Sequence, residues 1–442
     1  MTGMGPEVIF YSLAILLALV VIGVHIGVAL GVASVIGVYL SYDDIDIALS
    51  ILGSTAYDAI RTDALAVIPL FRLMGEIISR SGAATDLYLL CNRAMRRLPG
   101  RLAAATVLGN AAFAAVSGVA IASAATFSRI AYPEMRRLGY QKSYALGVIA
   151  GSGSLGMLIP PSVLMIVWAI LTEGSVGALF LGGVLPGILL GSAFIAYCAI
   201  AAARNPDLAP PVDAEREAAR DPRETRSELV SGLGIVALIL VVLGGIWLGV
   251  FTPTEAAGFG ALGSLVVGWA KGLRTAEFIE AIYNAGRSTA PIMFLLIAGS
   301  MYSRLLAVSG GINLIQDLFT GLGLGAFGII VVMTVVWLLL GTLIDSISDI
   351  LLTIPIFVPI ALAAGFNEIA FAIYGILIIE AGLLTPPMGL LIFTVKASVP
   401  DATVTLQEIF KGSIPYWIIM IGVAISILLI PGIAAWLPAM ML

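Results

Sequence analysis

Histidine is almost missing from this chain. His25 is the only one in 442 residues. That excludes metal sites built on histidine pairs and argues against a serine–histidine hydrolase. Cysteine is nearly as scarce: Cys91 and Cys198 each lie in or beside an apolar stretch, so no disulfide framework or zinc cluster can be read from them. No phosphate loop ending in Gly-Lys-Ser or Gly-Lys-Thr occurs, so the chain does not hydrolyse ATP by itself. Charge is sparse as well. Charged residues make up 11% of the chain, against about 25% in soluble domains. No basic patch suits nucleic acid, and the net charge of −5 is spread over loops. Met1–Gly5 has no charged leader region, and the first apolar run is too long for a cleaved signal, so it reads as a membrane segment.

What is abundant is apolar: 60% of the residues, with a mean hydropathy of +1.08. Apolar runs of 18 or more residues recur from end to end, the mark of an all-α polytopic membrane protein. Two of these runs are interrupted. GSGSLGMLIPPS (151–162) lies inside the apolar segment 144–171, and GLLTPPM (382–388) lies inside 369–395. Adjacent prolines remove two backbone donors, and glycines weaken the helix before them. Lipid offers the freed carbonyls no partner, so each break must face a cavity, an ion or other protein.

The two breaks are copies. Pro160–Pro161 and Pro386–Pro387 are 226 positions apart, as are Pro133 and Pro359, Gly139 and Gly365, Tyr140 and Phe366, and Gly156 and Gly382. Repeat one is read as residues 1–203 and repeat two as 231–442. The polar, proline-containing linker 204–230 lies between them. Arg93, Arg96, Arg97 and Arg101 precede the apolar run 102–132, and Arg136, Arg137 and Lys142 come after it. Both of its ends are therefore expected in the cytoplasm, and the run turns back inside the bilayer near Ser117–Ser123. The flanks of 328–359 lack lysine and arginine, which places that hairpin on the opposite face with its tip near Asp345–Asp349. The expected fold is thus two inverted-topology repeats with two re-entrant hairpins and two broken transmembrane helices. Helices 8–41 and 231–270 form a scaffold. Segment 64–80 crosses, and the chain ends on a single segment, 413–436. Segments 46–60, 275–287 and 401–411 are expected to lie at the interface. Both termini are expected outside, and Arg304 is the one basic residue against this path.

The candidate ligands are oxygen atoms. Gly151, Ser152, Ser154 and Gly156 are either a close-packing stripe of small residues or unwound backbone and hydroxyls around a hard cation. Their G-x-G-x-x-G spacing is no dinucleotide fingerprint, since no strand precedes it. Ser117, Gly118 and Ser123 are either turn residues or the lid of the same cage. Asp345, Ser346, Ser348 and Asp349, with Thr385 and the carbonyls near Gly382, are either loop groups or a second cage; carboxylates at membrane depth are costly and usually functional. Oxygen-only ligands suit Na⁺ or H⁺ coupling. Glu380 is a buried acid, either an ion site or a group pinning the break. Arg72 and Glu76 read as an ion pair one helical turn apart, with a substrate-anion site as the alternative. His25 reads as a packing residue.

At these residues the sequence resembles the large membrane (M) subunit of tripartite ATP-independent periplasmic (TRAP) transporters. The matching stretches run in order along nearly the whole chain. They are IPLFRLMGEIISRSG (68–82), SGVAIASAATFSRIAYPEMRRLGY (117–140), LIPPS (158–162), SVGALFLGGVLPG (175–187), FTPTEAA (251–257) and EAGLLTPPMG (380–389). The resemblance implies an elevator-type secondary carrier of the bacterial inner membrane, driven by Na⁺. It also implies a small membrane (Q) subunit, a periplasmic substrate-binding (P) protein, and an organic acid as substrate. The first Na⁺ site would then comprise Ser117, Gly118, Ser123, Gly151, Ser152, Ser154 and Gly156. The second would comprise Asp345, Ser346, Ser348, Gly382 and Thr385. Substrate would sit near Pro161, Ser162, Thr385 and Pro387. Val119 and Ala120 stand where the family pattern carries hydroxyls, and Ser346-Ile347 where it carries Pro-Thr. A stand-alone dicarboxylate or citrate-type carrier is the alternative. An intramembrane enzyme lacks its catalytic pair here, and a purely structural scaffold would not need two matched polar breaks.

Overall fold

A chain surrounded by hydrocarbon must satisfy its backbone within itself, and helices do this residue by residue. The computed structural model describes residues 7–210, 222–311, 314 and 325–441, apart from the side chains of 222–230, and every regular element among them is helical. Among the described residues six helical stretches are long and apolar enough to cross a membrane: Lys142–Leu171, Val176–Arg204, Thr275–Val308, Ala326–Leu343, Ser346–Ala363 and Leu406–Leu429. Val8–Val21 and Ile26–Tyr42 pair with each other, and Pro222–Trp247 pairs with Pro253–Ala270.

The duplication seen in the prolines extends to the helix ends. Arg101–Ser117 and Ala120–Arg137 form one helical hairpin, and Ala326–Leu343 and Ser346–Ala363 form the other. Ser117 and Leu343, Ala120 and Ser346, and Arg137 and Ala363 are each 226 positions apart. So are Gln141 and Asn367, the N-cap residues of the next helix in each half, and the two cis Pro–Pro peptides. The tips, Gly118–Val119 and Ile344–Asp345, fall at equivalent positions.

Several boundaries differ from the sequence reading. The first broken segment stays helical over Lys142–Gly153 and Leu155–Leu158, and opens only at Ile159–Ser162 before Val163–Leu171. The expectation of unwound backbone at Gly151–Gly156 is therefore corrected: three glycines do not stop a helix whose neighbours pack tightly on them. Segment 275–287 is not a separate interfacial helix but the start of Thr275–Val308, which runs on through Gly286 and Pro291. Residues 401–405 are loop, and 406–411 open Leu406–Leu429 behind a Thr405–Glu408 capping box. The segment 413–436 divides before Pro431, leaving Gly432–Met441 as a separate helix. Ala83–Ala94, given no place in the sequence path, is helical. Ile45–Arg61 is a helix as expected, capped by Asp44 and exposing Ile45, Leu49 and Tyr57. Residues 211–221 of the linker and the 319–324 flank of the second hairpin lie outside the described residues.

Small residues let the helices approach. A Cβ on Gly147 would lie 2.0 Å from the Gly412 carbonyl oxygen, and one on Gly151 would lie 2.2 Å from the Tyr416 ring. These contacts join Lys142–Gly153 to Leu406–Leu429. Trp168, Trp337, Phe357 and Phe371 form an aromatic cluster where the C-terminal half of the first broken segment, Val163–Leu171, meets the second hairpin. Each hairpin's returning arm packs on the far half-helix of the other break: Ala120–Arg137 on Leu390–Ser398, and Ser346–Ala363 on Val163–Leu171. Asp401, in the loop after the second break, ties this arrangement together. It accepts a hydrogen bond from Tyr132 Oη at 2.7 Å and lies 3.8 Å from Lys142 Nζ. Hydrogen bonds from Thr403 and Tyr132 hold its carboxyl well below the usual carboxylate range. That contribution is present above the usual range and is lost as pH falls through the depressed value.

Gly147→Ala should destabilise the chain by about 1–3 kcal/mol, the usual cost of overpacking. Thermal unfolding in detergent checks this; an unchanged melting temperature would show that the two helices are not held in backbone contact.

Candidate functional site

The site begins where each break meets its hairpin tip. In the first half, Gly118 adopts φ +63°, which closes the tip. Its carbonyl accepts a hydrogen bond from Val163 N, two residues past the Pro–Pro pair, at 3.2 Å. A Cβ on Gly118 would stand 2.5 Å from the Pro161 carbonyl oxygen, and one on Gly156 would stand 2.7 Å from the Val119 backbone. Ser117 Oγ and Ser123 Oγ lie 3.3 Å apart. The second half repeats the contact. Gly389, at φ +64°, donates its N–H to the Thr342 carbonyl at 3.2 Å, and Gly341 packs on Gly382. Val163 and Gly389 are again 226 positions apart.

The polar side chains divide into those already engaged and those left open. Ser152 accepts from Asn110 Nδ2 at 2.7 Å and donates to the Val148 carbonyl at 2.5 Å. Ser154 donates to the Gly151 carbonyl at 2.7 Å. Gly151 and Gly153 pack against Tyr416 and Ala124. These positions of the first set are engaged in hydrogen bonds and close contacts between helices. Ser117, Gly118, Ser123 and Gly156 gather at the tip. Ser162 caps Val163–Leu171 by accepting from Met165 N and also donates to the Met157 carbonyl at 2.5 Å. It and Pro161 are buried, whereas Pro386, Pro387 and Met388 of the second break are exposed and Thr385 is partly so. Asn110, whose Oδ1 is buried without a hydrogen-bond partner among the described residues, is a polar side chain that the sequence reading missed; an amide inside the apolar run 102–132 was its signal.

At the second tip Asp345 is the N-cap of Ser346–Ala363. It accepts from Ile347 N and Ser348 N at 3.1 Å and from Ser348 Oγ at 2.5 Å. Ser346 Oγ donates to Glu380 Oε1 at 2.7 Å, so Glu380 pins the tip to the helix before the break. Thr385 donates to the Gly382 carbonyl at 2.9 Å. Asp349, one turn into the helix, is fully buried. Neither of its carboxyl oxygens nor Glu380 Oε2 has a hydrogen-bond partner among the described residues. Buried polar groups are rarely left this way. Among the described residues no cluster of three or more histidine, cysteine or acidic side chains could hold a metal. Any cation here would rest mainly on carbonyls and hydroxyls.

Two polar cavities flank Thr275–Val308. One, of about 770 Å³, lies between Val67–Arg80 and the first hairpin and reaches Ser117 and Val119 at the tip. The other, of about 630 Å³, lies at the far end of the same long helix and is lined by Ser54, Asp58, Glu173, Ser303 and Arg304. The expected Arg72–Glu76 ion pair is not formed. Glu76 lies 3.4 Å from Arg80 Nε instead, and Arg80 also reaches Glu280 at 2.8 Å. A turn of helix allows either partner, and Arg80 is the one that can also pair with a second acid. His25 caps Ile26–Tyr42, with Nδ1 accepting from Gly27 N at 3.2 Å.

The family described as "Tripartite ATP-independent periplasmic transporter, DctM component" matches residues 13–433. The chain belongs to this family. The C4-dicarboxylate TRAP transporter large permease protein DctM of Pseudomonas aeruginosa is 33% identical over 376 residues, covering 85% of this chain and 86% of that protein. The ectoine TRAP transporter large permease protein TeaC of Halomonas elongata is 27% identical over 433 residues, covering 96% and 97%. In fold the chain is similar to the Alcanivorax borkumensis YdaH transporter, with a TM-score of 0.65 at 14% identity over 89% of this chain and 90% of that one. It is likewise similar to Neisseria gonorrhoeae MtrF, at 0.64 and 15% over 93% and 94%. As a DctM-family protein the chain is a multi-pass transporter component of the bacterial inner membrane, not an enzyme.

Ser346→Ala should cost about 1–3 kcal/mol by leaving buried Glu380 Oε1 without its donor. Adding Glu380→Leu should recover part of that loss. Thermal unfolding of the single and double variants measures both, and full stability of Ser346→Ala would remove the pin.

Proposed function

We propose that the chain is the permease subunit of a Na⁺-coupled tripartite uptake system for an organic acid delivered by an extracytoplasmic solute-binding protein. The observation that carries this reading is the duplicated contact between break and tip: two residues past each Pro–Pro pair, a backbone N–H returns to the hairpin of its own half. The architecture is then two inverted repeats, 1–203 and 231–442, with hairpins entering from opposite faces. The hairpins and broken helices form the moving domain. Helices 8–41 and 231–270 form the scaffold, and 204–230 joins the halves at the cytoplasmic face. A small Q-type subunit would cover part of the scaffold's exposed apolar surface.

In this reading Na⁺ binds at the two tip-and-break junctions. The first uses Ser117, Ser123 and the backbone around Gly118 and Gly156. The second uses Asp345, Ser346, Ser348, Thr385 and the backbone near Gly382. Each junction joins two elements whose backbone already departs from a helix, so a cation bound there stabilises the closed contact between them. Substrate lies between the junctions, near Pro161, Ser162, Thr385 and Pro387. Relatives are named for C4-dicarboxylates, isethionate, sialic acid and ectoine, compounds that all carry a carboxylate or a sulfonate, which supports an organic acid here.

Proteoliposomes containing the chain, its small subunit and its binding protein should accumulate substrate only with an inward Na⁺ gradient. Equal uptake without the gradient defeats the coupling, and uptake without the binding protein favours a stand-alone carrier. Asp345→Ala should lose Na⁺-dependent uptake while costing only about 0.5–2 kcal/mol of stability, the value of a helix cap. Unchanged Na⁺ dependence would remove Asp345 from the site.

A further inference from the structure

The 770 Å³ cavity carries an imbalance of charge that the ion-site reading does not use. Arg72, Arg80 and Arg129 line it, against the single carboxylate of Glu76. Arg80 is held by Glu76 and Glu280. That leaves Arg72, whose Nε is buried and has no hydrogen-bond partner among the described residues, and whose charge Glu76 meets only through space, without a direct ion pair. Arg129 is exposed to the cavity, and neither it nor Arg72 forms an ion pair among the described residues. A guanidinium presents planar, paired donors suited to a carboxylate, and leaving one desolvated without an acceptor is costly. Ser79, Thr126, Asn284 and Ser288 add neutral polar groups to the same wall.

We propose that this cavity is a second binding place for the substrate's acid group, apart from the one between the junctions, with Arg72 as its anchor and Arg129 as a second cation. The proposal rests on the permease reading and assigns its ligand as a small carboxylate. Arg72 stands on Val67–Arg80, which packs chiefly on Pro253–Ala270 and Thr275–Val308, whereas Arg129 rides on the returning arm of the first hairpin. The cavity reaches the hairpin tip at Ser117 and Val119. A shift of the hairpin against Val67–Arg80 therefore separates the two cations and dismantles the anion site. This gives the carrier a place where the acid is held in one position of the hairpin and released in another.

The test uses the full chain carrying Ser288→Cys, with the buried Cys91 and Cys198 left in place. Anionic and cationic methanethiosulfonates of similar size are compared, with and without succinate as the probe anion. The anionic reagent should react faster, because a cationic cavity concentrates anions. Succinate should protect the cysteine. Arg72→Gln should abolish the anionic preference and weaken protection about tenfold or more, the loss of a charge-assisted hydrogen-bonded pair. Arg72→Lys should restore the preference and part of the protection. The same preference and protection in Arg72→Gln would overturn the proposal, whatever the uptake assay shows. Arg72-dependent protection without Na⁺-driven uptake in proteoliposomes would keep the anion site and sink the permease reading instead.

Discussion

A proline pair inside an apolar helix leaves backbone groups that hydrocarbon cannot satisfy, and this constraint shapes the whole molecule. Each break needs a second piece of irregular backbone brought against it at the same depth. A helical hairpin supplies it, since its turn is the one part of the element with free N–H and carbonyl groups. In the first half the turn accepts a donor just past the prolines; in the second half the last turn of the hairpin's first arm does so. Everything else serves that pairing. Glycines at 147, 151, 341 and 382 bring the supporting helices to close range, and Glu380 fastens the second tip through Ser346. At each junction this pairing is a single backbone hydrogen bond of 3.2 Å.

The two junctions are copies in backbone and differ in side chains. The first is built from hydroxyls and small residues and lies buried beneath its tip. The second carries Asp345, Asp349 and Glu380 and leaves its prolines exposed. Duplication fixed the geometry of both, and divergence gave them unlike electrostatics. The acids belong to the half whose helix N-terminus can hold one of them: Asp345 takes two backbone N–H groups from the turn it caps. The arginines gather on the other side, around the cavity at the first tip. An anion entering that cavity and cations at the junctions would balance each other's charge.

Much of this was legible before any coordinates. Proline and glycine positions recur at a fixed offset because the backbone they require recurs, and the helix ends at the two hairpin tips obey the same offset. Both hairpin tips fell where small or acidic residues interrupt apolar runs. What the sequence hid was compensation by packing. Gly151, Ser152 and Ser154 looked like an opened helix, but Tyr416, Asn110 and Met420 close around them, and the helix runs on to Gly153. The divided terminal helix and the merged Thr275–Val308 were missed because apolar composition alone does not mark an end. The choice of Glu76 between Arg72 and Arg80 could not be read from spacing at all. Glu76 pairs with Arg80, which also reaches Glu280 two hundred residues away.

Inverted repeats require the two hairpins to open to opposite sides of the membrane. Leu138 and Ala364 end the returning arms at equivalent positions, and each is partly exposed. Cysteines placed at these two sites, labelled in intact cells with a membrane-impermeant thiol reagent, measure it directly. Position 364 should react in intact cells, and position 138 only after the membrane is permeabilised. Labelling of both from the same compartment would contradict the account.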